Sequence, residues 1–212
     1  MSTFRQKIEQ MSEEAITTSD YESNYKTWVK DSTDDFFSQV GTENSSLLSG
    51  LIVGPGHADY ASIINELPAD PQRQASILSP GSLYWRNDTN KRGICSVAGY
   101  KSKVDCEANS GTWSADRWFF CVNDGVIYNF VNVAQLNLAY HMIIKIASIK
   151  HLEHVQATDP NSKRAALITK HNTDKAADVS VFASDANAAY TANVLNDPIR
   201  LEDAYQKVKV TS

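Results

Sequence analysis

The chain has 212 residues, of which 42% are hydrophobic and 21% charged, and its formal net charge is -5. This balance is typical of a soluble globular protein, and the length fits one domain or one domain with a sizeable insertion. Residues 1–50 hold four basic and nine acidic side chains, whereas residues 51–212 hold sixteen of each. Because the acidic N-terminal quarter carries the whole net charge, sequence-independent binding to nucleic acid is disfavoured.

The chain lacks the sequence signals of export and of membrane insertion. Its first seven residues contain no apolar run long enough for a secretory signal. The uncharged run from 125 to 144 includes three asparagines, a glutamine and a histidine, which a bilayer would have to desolvate. We therefore expect synthesis in a cytoplasm and no membrane span.

Two helices are predicted in the acidic N-terminal quarter. The first carries four apolar residues on one stripe, Phe4, Ile8, Met11 and Ala15. The second is predicted to begin at a capping box formed by Ser19 and Glu22 and to end at Gly41. Its inward face holds four aromatic residues, Tyr21, Tyr25, Trp28 and Phe36. Its outer face is acidic around Asp34, which is typical of a solvated face but also fits an arm that docks on a basic partner.

A third helix is predicted from about His57 to Leu67, after a Gly-Pro-Gly turn. Three prolines, at positions 68, 71 and 80, then indicate a loop.

The segment 81–130 is aromatic and β-branched, as strands prefer. The Asp124–Gly125 pair tolerates the positive φ angles of a tight turn, so a hairpin is predicted around it. We interpret the segment as a small antiparallel ribbon or sheet, inserted between helical segments and projecting from the body.

All three cysteines lie in this insertion, at separations of 11 and 15 residues that fit neither a redox pair nor a zinc site. A disulfide between Cys95 and Cys106 would close a loop of about ten residues, although a reducing cytoplasm would keep both thiols free. The flanking carboxylates of Asp105 and Glu107 would make Cys106 a poor nucleophile. Cys121 alternates within a predicted strand and is expected to pack as a small hydrophobe.

The segment from Cys95 through Cys106 to Gly111-Thr112-Trp113 resembles a short Cys-loop segment of virion structural proteins of tailed bacteriophages. The resemblance covers about nineteen residues, counted on the sequence. It implies a stapled scaffold in which Gly111 permits the turn and Trp113 covers the loop. It also implies assembly in a host cytoplasm, with any disulfide forming after release, and it transfers no functional residue.

A long helix is predicted from a cap at Asn132 to about Val155, with apolar side chains on two sides. Both apolar sides of such a helix must be buried. They can be buried entirely inside its own domain, or one of them partly against another subunit. One stripe holds Leu136, Tyr140, Ile143, Ala147 and His154. The other stripe is predicted as an interface with another subunit or another virion protein, and it consists of Leu138, Met142, Ile146 and Ile149.

Two histidine pairs are the candidates for chemistry. His151 and His154 lie three apart on the long helix and could bind a metal, with His171 or Asp159 as a third ligand. We favour a simpler role, in which they interact with the negative end of the helix. His57 and Asp59 could form a catalytic dyad, but no serine or cysteine partner is identifiable, so a local turn is favoured.

In the C-terminal part, helices are predicted over 162–177, over 184–195 and from Pro198 onward, with a brief extended piece at Val179–Phe182.

The predicted fold class is mainly α with an inserted small antiparallel β ribbon or sheet. Residues 1–80 and 131–212 would pack as one helical body, and 81–130 would form the insertion. No phosphate loop, nucleotide fingerprint, zinc ribbon or nucleophile elbow is present in the sequence, so no cofactor, metal or catalytic residue is predicted.

The predicted function is that of a non-enzymatic structural component of a bacteriophage particle, in the neck, tail or baseplate. It would form homo-oligomers and contact other virion proteins, without membrane or nucleic-acid partners. The alternatives are a cytoplasmic binding or adaptor module and a metal-dependent hydrolase.

Overall fold

The computed structural model describes residues 3–79, 82–87, 93–100, 103–115, 119–130 and 133–184. Over these residues the chain is mainly helical with a small antiparallel sheet, as predicted. The helices are α1 Phe4–Ser12, α2 Thr18–Ser23, α3 Tyr25–Glu43, α4 Ser45–Leu51, α5 Tyr60–Glu66, α6 Pro71–Ile77, α7 Lys103–Ala108, α8 Val133–Thr158 and α9 Ser162–Ala183. The strands are β1 Ile52–Val53, β2 Leu83–Asn87, β3 Gly93–Cys95, β4 Trp113–Ala115, β5 Phe119–Asn123 and β6 Val126–Phe130.

The capping box of the N-terminal region lies on α1 and not at Ser19. Thr3 Oγ1 accepts the Gln6 amide at 3.1 Å, and Gln6 Oε1 accepts the Thr3 amide at 2.7 Å. Helix α2 is capped by Thr17, whose hydroxyl oxygen accepts the backbone N–H of Asp20 at 3.1 Å. The predicted capping box at Ser19 is therefore wrong, because the chain already turns helical one residue before it.

The predicted second helix is divided into α2 and α3 at Asn24, and α3 continues past Gly41 to Glu43. Trp28 and Phe36 are buried as predicted, whereas Tyr21 on α2 is exposed. Because Asn24 separates the two helices, the four aromatic residues do not lie on one continuous helix.

The predicted loop between Pro68 and Pro80 contains the short helix α6. Asp70 accepts the Gln72 amide at 2.9 Å and caps this helix, and Pro71 occupies its first position. Proline is favourable there because that position has no helical hydrogen bond to lose. The predicted loop therefore contains a helix that begins at Pro71.

The main sheet has four antiparallel strands in the order β1-β6-β5-β2. Asp124 and Gly125 join β5 to β6 with φ angles of 54° and 77°, as the predicted hairpin requires. The edge strand β1 comes from the N-terminal helical segment, so the sheet extends beyond residues 81–130.

Both faces of this sheet are buried. Alternate residues of β2 and β5 point to opposite sides: Trp85 and Cys121 face the main core, whereas Tyr84 and Phe120 face a second core. The main core lies under α1, α3, α8 and α9, and the second lies under α5 and α6. The prediction that the β segment projects from the body is therefore wrong for this sheet, which lies between two helical layers.

Helix α8 is the centre of the main core and packs against α1, α3 and α9. Both of its apolar stripes are covered by the chain itself. The stripe predicted as an intersubunit interface has relative exposures of 4% or less, at Leu138, Met142, Ile146 and Ile149. Its assignment to a partner is corrected, because these four side chains are already buried within the chain.

Helix α9 runs on to Ala183, so the extended piece predicted at Val179–Phe182 is wrong. Val179 and Phe182 lie three residues apart, and both are buried in the main core, as one face of a helix requires. The predicted cap at Asn132 and the predicted helices over 184–195 and beyond Pro198 lie outside the described residues, apart from Ser184. Within the described ranges, the structure contains no helix that combines the length and apolarity of a membrane span.

Candidate functional site

His151 is a fully buried residue of α8 that contacts the end of α1. Its Nδ1 lies 3.2 Å from the Ser12 hydroxyl oxygen, and its ring centroid lies 5.2 Å from that of Trp28. The Ser12 hydroxyl donates toward the carbonyl oxygens of Glu9 and Glu14, at 3.4 and 3.2 Å. In the tautomer that carries the proton on Nδ1, His151 can donate to the Ser12 hydroxyl oxygen. Burial lowers the pKa of His151, which favours the neutral form of the ring.

His154, one turn later, has a different environment. Its Nε2 lies 2.9 Å from Oδ1 of Asp20, which also accepts a hydrogen bond from the Asn24 side chain. The other carboxylate oxygen, Oδ2, accepts from the Thr17 hydroxyl. The Thr17 hydroxyl is the largest cause of the lowered pKa of Asp20, with smaller contributions from Asn24 and His154. This pair joins α8 to α2 at a half-exposed position.

The two histidines do not converge on one point, although their spacing places them on one side of α8. His171, a predicted third ligand, lies on α9 with Nε2 3.0 Å from the Met11 carbonyl oxygen. Asp159, the other, lies 3.7 Å from the Arg164 guanidinium. No group of three His, Cys, Asp or Glu side chains suited to a metal ion occurs within the described ranges. The arrangement needed by a metallohydrolase is therefore not assembled from these four residues.

The Ser12–His151 pair has the residue types of a nucleophile and its base, and sequence reasoning missed it. Ser12 has 0% exposure, however, and its hydroxyl is already bonded to main-chain oxygens. The arrangement acts as a structural contact between α1 and α8, since a substrate could not reach the hydroxyl. No local signal indicates the pair, because 139 residues separate its members.

His57 and Asp59 form the local turn that the sequence favoured. The Asp59 amide donates to Nδ1 of His57 at 3.1 Å, and the two side chains approach to 3.7 Å. The His57 amide in turn donates to the Gly54 carbonyl at 2.9 Å. These contacts stabilise the chain just before α5.

The segment that resembles a virion Cys loop forms a separate unit, here called the stapled module, comprising the described residues 93–100 and 103–115. Its strands β3 and β4 pair with each other in their own two-stranded sheet, with Cys95 opposite Trp113. Cys95 and Cys106 are joined in a disulfide, with Cα atoms 5.6 Å apart. The Gly111 amide donates to the Cys106 carbonyl at 2.8 Å, which closes the turn after α7.

The third cysteine, Cys121, is a free thiol buried in the main core on β5. Burial raises its pKa well above the ordinary value, so the reactive thiolate is disfavoured.

The stapled module also presents apolar side chains to solvent. Val104 on α7 is 76% exposed and Val97 is 38% exposed. Among the described residues, Val104 is the most exposed of the large hydrophobic side chains. An apolar side chain in this position gains little burial energy within the chain.

A scan against models of protein families, a search of curated proteins and a search of solved structures each found no match to this chain.

Proposed function

We propose that this protein is a non-enzymatic structural component of a bacteriophage particle, located in the neck, tail or baseplate, that assembles through protein–protein contacts. The observation that carries the proposal is the stapled module, whose exposed valine Val104 lies on the segment that resembles virion proteins. The module's partner is another virion protein.

The environment of the histidines supports this proposal. His151, His154, His171 and His57 all contact the protein's own helices or turns, where they stabilise the fold. A structural protein needs such contacts and does not need a reactive centre. The assembly surface, which the sequence placed on α8, is proposed to lie on the module because α8 is covered by the chain itself.

The test is mass spectrometry of purified particles, combined with incorporation of two variants. Val104→Glu places a carboxylate at the proposed contact and should strongly reduce incorporation, because burying an unpaired charge is unfavourable. Val126→Glu is the matched control, since Val126 is 38% exposed on the β5–β6 hairpin and outside the module. It should be incorporated like the wild type.

Absence of the protein from purified particles would overturn the virion role. Undiminished incorporation of Val104→Glu would overturn the module as the contact surface. Sedimentation tests the proposed homo-oligomer separately, since an oligomer must sediment well above the chain mass of 23.5 kDa.

A further inference from the structure

The stapled module is inserted between two strands that are paired with each other. Strand β2 ends at Asn87 and β5 begins at Phe119, and these two residues are direct partners in the main sheet. Within the described ranges, the module's own strands β3 and β4 pair only with each other. Because the insertion begins and ends at adjacent positions of the sheet, the pairing of β2 with β5 does not require the module to be folded.

The module has almost no apolar core apart from its disulfide. Among its residues with described side chains, Cys106 is the single buried hydrophobic, with 0% exposure, and Trp113 is half-buried. Neither of the two hydrophobic cores includes a described side chain of the module. The chain packs directly against the sulfurs at Gly111, where an ideal Cβ would lie 2.6 Å from Sγ of Cys95. The two bonded cysteines are therefore the centre of the module.

The secondary structure of the module is too short to replace the disulfide. Strands β3 and β4 have three residues each, and α7 has six. A two-stranded sheet is marginal in water, and so is a helix shorter than about 12 residues that lacks tertiary packing. The strands are also separated by α7 and its flanking turns, so their pairing must close a loop, and the disulfide removes part of that entropic cost. The covalent link is thus the contact that the fold of the module depends on.

We propose that the Cys95–Cys106 disulfide is a redox switch of local order. The module is folded when the two cysteines are oxidised and unfolded when they are reduced, while the rest of the chain stays folded in both states. The two cores support this independence, because their described members all lie outside the module. A longer unstructured connection between paired strands costs little additional free energy, since loop-closure entropy grows slowly with length.

The oxidant in this switch is a small disulfide such as glutathione disulfide. The Cys95 thiolate attacks it first, because Asp105 and Glu107 disfavour the thiolate of Cys106. A mixed disulfide forms and one glutathione thiolate leaves; the Cys106 thiolate then displaces the second. Two protein thiols thereby become one disulfide, the small disulfide becomes two thiols, and the protons lost by the protein thiols are taken up by the released thiolates.

The switch determines when the exposed surface of the module exists. Val104 is presented on a folded α7 in the oxidised state, whereas reduction leaves it on an unstructured connection. If the module is the contact with another virion protein, a step that rests on the proposed function, assembly through it requires prior oxidation.

The experiment is hydrogen–deuterium exchange of the full chain at a single pH, on air-oxidised protein and on protein kept with a phosphine reductant. Reduction should lower the protection of amides in β3, α7 and β4 by about tenfold or more, because the loop constraint is removed. Amides of β5 should keep their protection. The measurement needs no particles, so its outcome is independent of the virion role.

Variants assign the response to this disulfide. The double variant Cys95→Ser and Cys106→Ser should have an unprotected module with and without reductant, and a protected β5. Cys121→Ala is the matched control, because Cys121 is a free thiol in the main core, and it should respond to reductant like the wild type.

Alkylation of reduced wild-type protein without denaturant gives a second readout that needs no substitution. Iodoacetamide should modify Cys106, which is buried only while the module is folded, and should leave the core thiol of Cys121 unmodified. The switch is overturned if the module has equal protection in both redox states, or if β5 loses protection together with it. A double variant that keeps the response, or a reduced Cys106 that does not react, would also reject it.

Discussion

Gly111 lies so close to Cys95 that a side chain cannot be added: an ideal Cβ on Gly111 would be 2.6 Å from Sγ of Cys95. The same Cβ would be 2.7 Å from Sγ of Cys106 and 3.0 Å from the Cys106 carbonyl oxygen. Because the two sulfurs are bonded to each other, neither can move away independently. The disulfide therefore favours glycine at position 111 of the stapled module.

Gly111→Ala should destabilise the oxidised module by about 1–3 kcal/mol, the usual cost of overpacking. The measurement is the equilibrium between disulfide and dithiol in a series of glutathione buffers, where the variant should be reduced under more oxidising conditions than the wild type. Gly50→Ala is the control, because a Cβ there meets no atom within 4 Å and Gly50 lies in α4. An unchanged midpoint for Gly111→Ala would contradict the packing described here.

The number of free thiols should depend on whether the protein has been kept reduced or has been oxidised in air. Protein kept with reductant and then denatured should show three free thiols, whereas air-oxidised protein should show one, Cys121. Titration with a thiol reagent in denaturant measures both. Cys121→Ser should remove the remaining thiol of the oxidised sample, and three thiols persisting after prolonged oxidation would exclude the disulfide.

A pair of substitutions distinguishes between the two candidate N-cap residues of α2, Thr17 and Ser19. Thr17→Ala should lower the free energy of unfolding by about 1 kcal/mol, since it removes the acceptor for the Asp20 amide. Ser19→Ala should change it by less than about 0.5 kcal/mol, because Ser19 lies within α2 and is exposed. Urea denaturation of both variants gives the comparison. The reverse order would restore the cap predicted at Ser19.

Met142→Ala tests the placement of α8. Met142 is fully buried, so truncation should cost about 2–5 kcal/mol through lost burial and a residual cavity. Val104→Ala, on the exposed side of α7, should stay within about 0.5 kcal/mol of the wild type. Denaturation midpoints measure both, and a near-neutral Met142→Ala would mean that this side of α8 is not part of the core.

We expect the free energy of unfolding to decrease as the pH is lowered, because of His141. Burial lowers the pKa of His141 to about 4, and the Lys145 ammonium adds to this while Asp178 opposes it. The unfolded chain, with an ordinary histidine pKa of about 6.5, binds the proton first. Between these values the unfolded state holds more protons, so acid favours unfolding by up to about 1.4 kcal/mol per pH unit.

The measurement is the urea midpoint at pH 7.5, 6.0 and 5.0 for the wild type and His141→Gln. The variant should lose less stability between pH 6.0 and 5.0 than the wild type, because its side chain does not titrate. Parallel pH profiles would show that His141 has the same pKa in both states.

Local sequence patterns were sufficient for several elements of the fold. The Asp124–Gly125 turn was predictable because both residues tolerate the positive φ angles that the hairpin needs. The long helix α8 was predictable because its apolar residues recur at helical spacing. The pairing of Cys95 with Cys106 could be considered from sequence because eleven residues separate them.

The tertiary structure alone decided what covers each apolar face and which polar groups meet. The pairing of β1 with β6 and the contact of Ser12 with His151 join residues that are far apart in the chain. Such contacts depend on the summed packing of many elements and leave no periodicity in a short window of sequence. The sequence of α8 indicated that two apolar sides of this helix must be buried. Only the folded chain showed that its own sheet and helices bury both sides, because that depends on packing between distant elements.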